Sequence, residues 1–187
     1  MSQRHDFDPA DDGVLDAARA CALAVGFRRT TFSDVARRAG VSRMTLYRRF
    51  PDLETVLSAL MTREFGRVVE DARRAASEAP TCRERAVAMV TLAARRLHAD
   101  PLFARLLDVD PELLLPYVTV RLGGMQRMAV AGLAAELEER DGSVRDADPE
   151  VLARGVELMA RGFVLVREPR LDAWAELGRA VDGYLRP

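Results

Sequence analysis

The sequence predicts an all-α protein, a three-helix helix-turn-helix unit followed by a larger helical body. Three observations carry that expectation. Apolar residues recur at helical rather than alternating spacing along almost the whole chain. Glycine and proline break the pattern into pieces of helical length. The stretch Ala39-Gly40-Val41-Ser42 joins two short helical segments with the residues that a sharp turn needs.

Residues 1–12 are acidic and expected to be flexible; Val14, Leu15, Ala18, Ala22 and Val25 then mark one face of a first helix that stops at Gly26. Thr31 opens a Thr-Phe-Ser-Asp pattern. Its hydroxyl suits the cap of a short second helix, Phe32 to Ala39, and Asp34 favours the positive first turn. Gly40 ends that helix, Val41 fills the corner, and Ser42 caps a third helix, Arg43 to Arg49. Asp52 caps a long fourth helix from Leu53 to about Ala76, with Val56, Leu57, Leu60, Met61 and Phe65 at helical spacing. Pro80 and Thr81 open a fifth helix that reaches His98. The Asp-Pro pairs at Asp100, Asp110 and Asp148 each read as a cap followed by proline at the first helical position. They start a short helix ending near Asp108, a long one from Pro111 to about Glu139 that Pro116 and Gly123-Gly124 bend or split, and one from Pro149 to about Val166. A last helix spans Leu171 to Leu185, and Glu139 to Pro149 is the most polar link, expected to be mobile.

With 187 residues, 49% apolar and 30% charged, the chain can bury a real core. No run of 18 apolar residues occurs, and the N-terminus lacks the apolar stretch of a signal peptide, so the expected location is the cytoplasm, away from membranes. Cys21 and Cys82 lie far apart in helix-like apolar patterns and read as reduced core residues. The two histidines, His5 and His98, have no cysteine or paired acid at catalytic or metal spacing. No glycine-rich phosphate loop and no Gly-x-Ser-x-Gly turn appear, so no enzyme, cofactor or metal site is expected.

Charge is unevenly placed. All 28 basic residues are arginine, a planar forked donor that keeps its charge. From Arg19 to Phe50 eight arginines face one acid, Asp34, whereas from Pro51 onward 19 arginines face 23 acids. A basic head on an acidic body suits a nucleic-acid contact joined to a separate module. On the third helix Val41, Leu46 and Phe50 can point inward, which leaves Arg43, Met44, Thr45, Tyr47 and Arg48 outside. The two hydroxyls can donate to phosphate oxygens, and an arginine fork can take a phosphate or the O6 and N7 edge of guanine. The helix N-terminus at Ser42 itself favours an anion.

The order of these pieces closely resembles the DNA-binding domain of the TetR family of bacterial transcriptional regulators. Gly26-Phe27, Thr31, Val35-Ala36, Ala39-Gly40-Val41-Ser42, Thr45-Leu46-Tyr47 and Phe50 carry the resemblance, which covers about Val14 to Leu60. It implies a DNA-binding domain over 13–51 and a helical regulatory and dimerisation domain over 52–187. By resemblance Thr31, Ser42, Thr45 and Tyr47 sit where the family touches the DNA backbone, and Arg43, Met44 and Arg48 where it reads bases; which arginine reads a base stays open. Leu53 departs from the pattern, since the family usually has a basic residue there. Met44 is bulkier than the usual residue and suits either an apolar touch on a thymine methyl or packing against the sugar backbone.

One short recognition helix gives little specificity, so a homodimer on a palindromic DNA operator is implied. The resemblance assigns pairing to the last two helices, with Val156, Met159, Phe163, Trp174, Leu177 and Val181 as candidates, part of which one chain's own core would claim. It also implies a cavity for a small-molecule effector of unknown identity among the middle helices, with Met89, Leu92, Phe103, Leu107, Tyr117, Val120, Met125, Met128 and Phe163 as candidate lining. Repression is the family's usual mode. The competing reading is a helical adaptor whose basic face binds an acidic protein.

Overall fold

The computed structural model describes residues 9–115, 123–165 and 172–187. Among them every regular element is helical: α1 (Pro9–Val25), α2 (Phe32–Arg38), α3 (Arg43–Arg49), α4 (Leu53–Ala76), α5 (Cys82–Ala99), α6 (Pro101–Val109), a 3₁₀ turn (Pro111–Leu114), α7 (Gly124–Leu137), α8 (Pro149–Leu165) and α9 (Ala173–Leu185). None is long and apolar enough to cross a membrane. Tyr117, Val120, Val166 and Leu171 lie outside the described residues.

Local chemistry accounts for most helix starts. Thr31, Ser42 and Asp52 accept from the backbone N–H three residues on, at 3.1, 3.0 and 2.7 Å. Thr81 and Glu84 form a reciprocal capping box. Asp100 and Asp148 cap α6 and α8 as their Asp-Pro pairs suggest. Gly26 and Gly40, at φ +91° and +69°, make the turns after α1 and α2 in a region that costs other residues strain.

Several elements differ from expectation. α1 opens at Pro9, ahead of Val14, with proline at its first position and Asp11 and Asp12 in its first turn, and it runs through Gly13. In the stretch from Pro111, expected as a helix that Pro116 and Gly123-Gly124 bend or split, the described residues form a 3₁₀ turn over Pro111–Leu114 and, after Gly123, α7. The polar link before α8 is tied down: Asp141 accepts from Cys82 N at 2.6 Å, Ser143 from Arg83 N at 3.1 Å, and Arg145 N donates to Leu185 O at 2.9 Å.

Two apolar clusters fill the molecule. One joins α1, α2 and α3 to Val56 and Leu60 of α4 and to Leu102 and Leu106 of α6. The other fills the body around α5, which packs against α4, α6, α7, α8 and α9. α6 belongs to both, since Phe103 turns into the body and meets Phe65 edge-on at 5.6 Å. Cys21 and Cys82 are buried free thiols. Burial is the main reason that both resist ionisation, Cys82 being pushed up to about 11.

Polar contacts fasten the head to the body. The Asp110 carboxylate does not cap the turn that follows it; it is 4% exposed and accepts from Phe27 N at 2.7 Å. Gly26 lies so close that a Cβ there would meet Asp110 Oδ2 at 2.9 Å. Arg28 pairs with Glu112 at 2.5 Å. Between α1 and α4, buried Arg63 reaches Asp12, Asp16 and Glu64 at 3.0, 2.8 and 2.7 Å.

Candidate nucleic-acid interface and cavity

α3 is held by one face and bare on the other. Leu46 at its centre and Phe50 just past its end are buried in the head, while Arg43, Met44, Tyr47 and Arg48 are exposed and Thr45 is half-buried. Met44 is 70% exposed, an apolar side chain left open to solvent on the bare face. Tyr47 stacks on Phe32 with ring centroids 4.3 Å apart, which fixes the ring while leaving the side chain 45% exposed.

The arginines of the head fall into two groups. Arg37 is held by Asp34 at 2.6 Å, Arg49 meets Asp11 at 3.5 Å, and Arg28 meets Glu112. Arg43 and Arg48 form no ion pair among the described residues, so their charge is left for an outside anion. The two capping hydroxyls are partly committed. Thr31 Oγ1 donates to Asp34 Oδ2 at 2.5 Å, and Ser42 Oγ shares a hydrogen with Thr45 Oγ1 at 2.8 Å.

Leu53 does not face outward at the start of α4. It packs against the head core and lines a cavity, which explains an apolar residue at that position. Beside it, the hydrogen bonds from the Thr55 hydroxyl and N–H hold the Asp52 carboxyl below its ordinary range.

The cavity measures about 650 Å³ and runs from the head into the body. Phe27, Leu53 and Leu57 line one end, Phe65, Met89 and Phe103 the middle, and Met125, Gln126, Ala153, Glu157, Arg161 and Val164 the other end. Of the expected lining, Met89, Phe103 and Met125 are there. Leu92, Leu107 and Phe163 pack against the body core instead, and exposed Met128 lies over Gly66.

The polar group at the far end was not expected from sequence. Arg161 holds the Glu157 carboxylate at 2.7 Å, with side chains only 13% and 11% exposed. Arg154 reaches the same carboxylate, and Gln126, 8% exposed, donates to it at 3.1 Å. The available signal was position: Ala153, Glu157, Arg161 and Val164 fall on one helical stripe, so an ion pair there cannot face the same way as Val151 and Leu158.

Among the residues expected at a dimer face, Val156, Leu177 and Val181 are fully buried in the chain's own core and are closed to a partner. Met159 and Phe163 are half-buried, and Trp174 meets His98 edge-on at 5.2 Å. The exposed apolar residues of α8 are Val151 at 61% and Leu158 at 51%, on the same side as Gly162, beside which a Cβ would meet nothing. Gly155 instead serves an internal approach to Tyr184 of α9.

A family model described as bacterial regulatory proteins, tetR family, matches residues 14–60. The chain is 36% identical over 188 residues to the HTH-type transcriptional regulator Mb2274c of Mycobacterium bovis, an alignment covering 95% of this chain and 96% of that one. In fold it is similar to the TetR family repressor AlkX from Dietzia sp., with a TM-score of 0.72, 21% identity and 95% of each chain covered. It is also similar to the transcriptional regulator FadR from Bacillus subtilis in complex with stearoyl-CoA, with a TM-score of 0.59, 19% identity, and 92% and 95% of the two chains covered.

Proposed function

The chain belongs to the TetR family of bacterial transcriptional regulators, and from that premise we propose that it represses transcription as a homodimer on a palindromic operator and is released by an apolar effector. The observation that carries the DNA contact is the division of α3: one face locked in the head core, the other bearing Arg43, Met44, Thr45, Tyr47 and Arg48, with both arginines uncompensated. Arg43 and Arg48 then serve as base or phosphate forks, Tyr47 as a phosphate donor, and Met44 as an apolar contact in the major groove. Thr31 and Ser42 act chiefly through the helix ends they cap, since their hydroxyl groups are already engaged.

The regulatory part of the reading rests on the cavity's reach. Phe27 of the head and Leu53 at the start of α4 border the same space as Met89 and Val164 deeper in the body, so an occupant that prefers one packing of α6 and α4 biases the placement of α3. Its leverage is limited to its differential affinity for the two arrangements. The stearoyl-CoA held by Bacillus subtilis FadR is in keeping with a long apolar occupant. Pairing of two copies falls to the outer side of α8, where Val151, Leu158 and Gly162 lie with Met159 and Phe163 beside them. The domain division at 51/52 is read as functional rather than as a break in packing, because Val56 and Leu60 share the head core.

Footprinting on the DNA flanking the protein's own gene tests this reading. Two protected half-sites about one helical turn apart, roughly 10 base pairs centre to centre, are expected. Uniform protection without half-sites would leave only a basic surface binding DNA unspecifically.

A further inference from the structure

We infer that the effector of the cavity is an uncharged amphiphile, a long apolar body with one neutral hydrogen-bonding head, and that the buried Glu157–Arg161 pair turns carboxylic acids away. This rests on reading the cavity as an effector site. Among the described lining residues the walls are mostly apolar, and the charged ones are Arg28, Glu54, Glu112, Glu157 and Arg161. Both arginines are already closed onto lining acids, Arg28 onto Glu112 and Arg161 onto Glu157. That leaves these walls with one more acid than base.

The far end decides the class. Glu157 Oε1 accepts from Arg161 Nε at 3.0 Å, Arg161 Nη2 at 2.8 Å and Gln126 Nε2 at 3.1 Å; Oε2 accepts from Arg161 Nη2 at 2.7 Å and from Arg154. An anionic head arriving here finds the Arg161 guanidinium already engaged by a carboxylate. To gain Arg161 it must break this fork and leave Glu157 buried with a weaker set of partners, which is the costly way to open a buried pair. A neutral hydroxyl faces no such exchange. It can donate to a carboxylate oxygen and accept from an N–H while its chain fills the space lined by Phe103, Met89 and Phe65.

The test compares 1-decanol with sodium decanoate, identical in chain length, by isothermal titration of the full chain at pH 7.5. Decanol is expected to bind at least about tenfold more tightly. Glu157→Gln removes the anion that occupies Arg161, so the order is expected to reverse, with decanoate gaining about tenfold or more. A measurement without a variant guards against misfolding of Glu157→Gln: decanoate binding by the parent rises as the pH is lowered toward 5 and its carboxyl becomes neutral, while decanol binding stays level. Equal or tighter binding of decanoate by the parent at pH 7.5, or no binding of either probe, overturns the proposal. Operator binding measured on the same preparation separates this outcome from the larger reading. A chain that protects two half-sites but prefers decanoate remains a regulator with an acidic effector.

Discussion

Asp110→Ala probes the junction between head and body. In the parent the carboxylate is 4% exposed and accepts from the backbone N–H of Phe27, 83 residues away, at 2.7 Å. Alanine leaves that N–H buried without an acceptor, at a cost of about 1–3 kcal/mol, and removes a hydrogen bond to a charged group. The loss of a buried charge returns part of this, which makes about 2 kcal/mol the expected net. For a chain of this length that is about 4–8 °C in Tm. Asp110→Asn keeps a carbonyl oxygen as acceptor and should lose about half as much. Thermal unfolding followed by circular dichroism gives the first number, and hydrogen exchange at the Phe27 amide gives the local one. A Tm within about 1 °C of the parent, with the Phe27 amide equally protected, would refute the claim that Asp110 joins the two parts.

Three further outcomes follow from named contacts. Arg63→Ala removes the shared partner of Asp12, Asp16 and Glu64, and should cost about 2 kcal/mol in urea unfolding; this is below the 3–5 kcal/mol of a fully buried pair, because the Asp12 and Asp16 carboxylates are largely exposed and can turn to water while Glu64 keeps Arg19 and Arg67. The Ser143 side chain, with the N–H groups of Cys82 and Ser143, holds the Asp141 carboxyl down to about 2. A folded value below the unfolded one of about 4 means stability that is complete above that pH and lost as the pH falls toward 2. The gap in urea midpoint between parent and Asp141→Ala should therefore be widest near pH 6 and narrow steadily toward pH 3; a constant gap contradicts the assignment. Arg43→Ala should weaken operator binding by about 1–3 kcal/mol if it reads a base; if it holds a phosphate, all duplexes weaken alike and the salt slope falls by about 1. Electrophoretic mobility shifts at several salt concentrations distinguish the two.

Much of the head was legible because its signals are local. Thr31, Ser42 and Asp52 cap the helices they precede in sequence, and Gly26 and Gly40 take the positive φ that a turn demands. Asp110 shows where local reading stops. It has the same Asp-Pro form as Asp100 and Asp148, yet its carboxylate is drawn to a backbone group brought near only by tertiary packing. Val156, Leu177 and Val181 follow helical spacing, but spacing does not reveal whether the covering surface belongs to the same chain or another. Arg161 and Glu157 look, as an i,i+4 pair, like ordinary surface decoration, and only the position of α8 over the cavity makes them a wall of it.

The most direct test is the affinity ratio of the parent chain for its footprinted operator and for a scrambled duplex of equal length, by fluorescence anisotropy at one physiological salt concentration. A ratio of about a thousandfold or more is expected, falling when Arg43 and Arg48 are both replaced by alanine. Equal affinity for the two duplexes would contradict sequence recognition by α3.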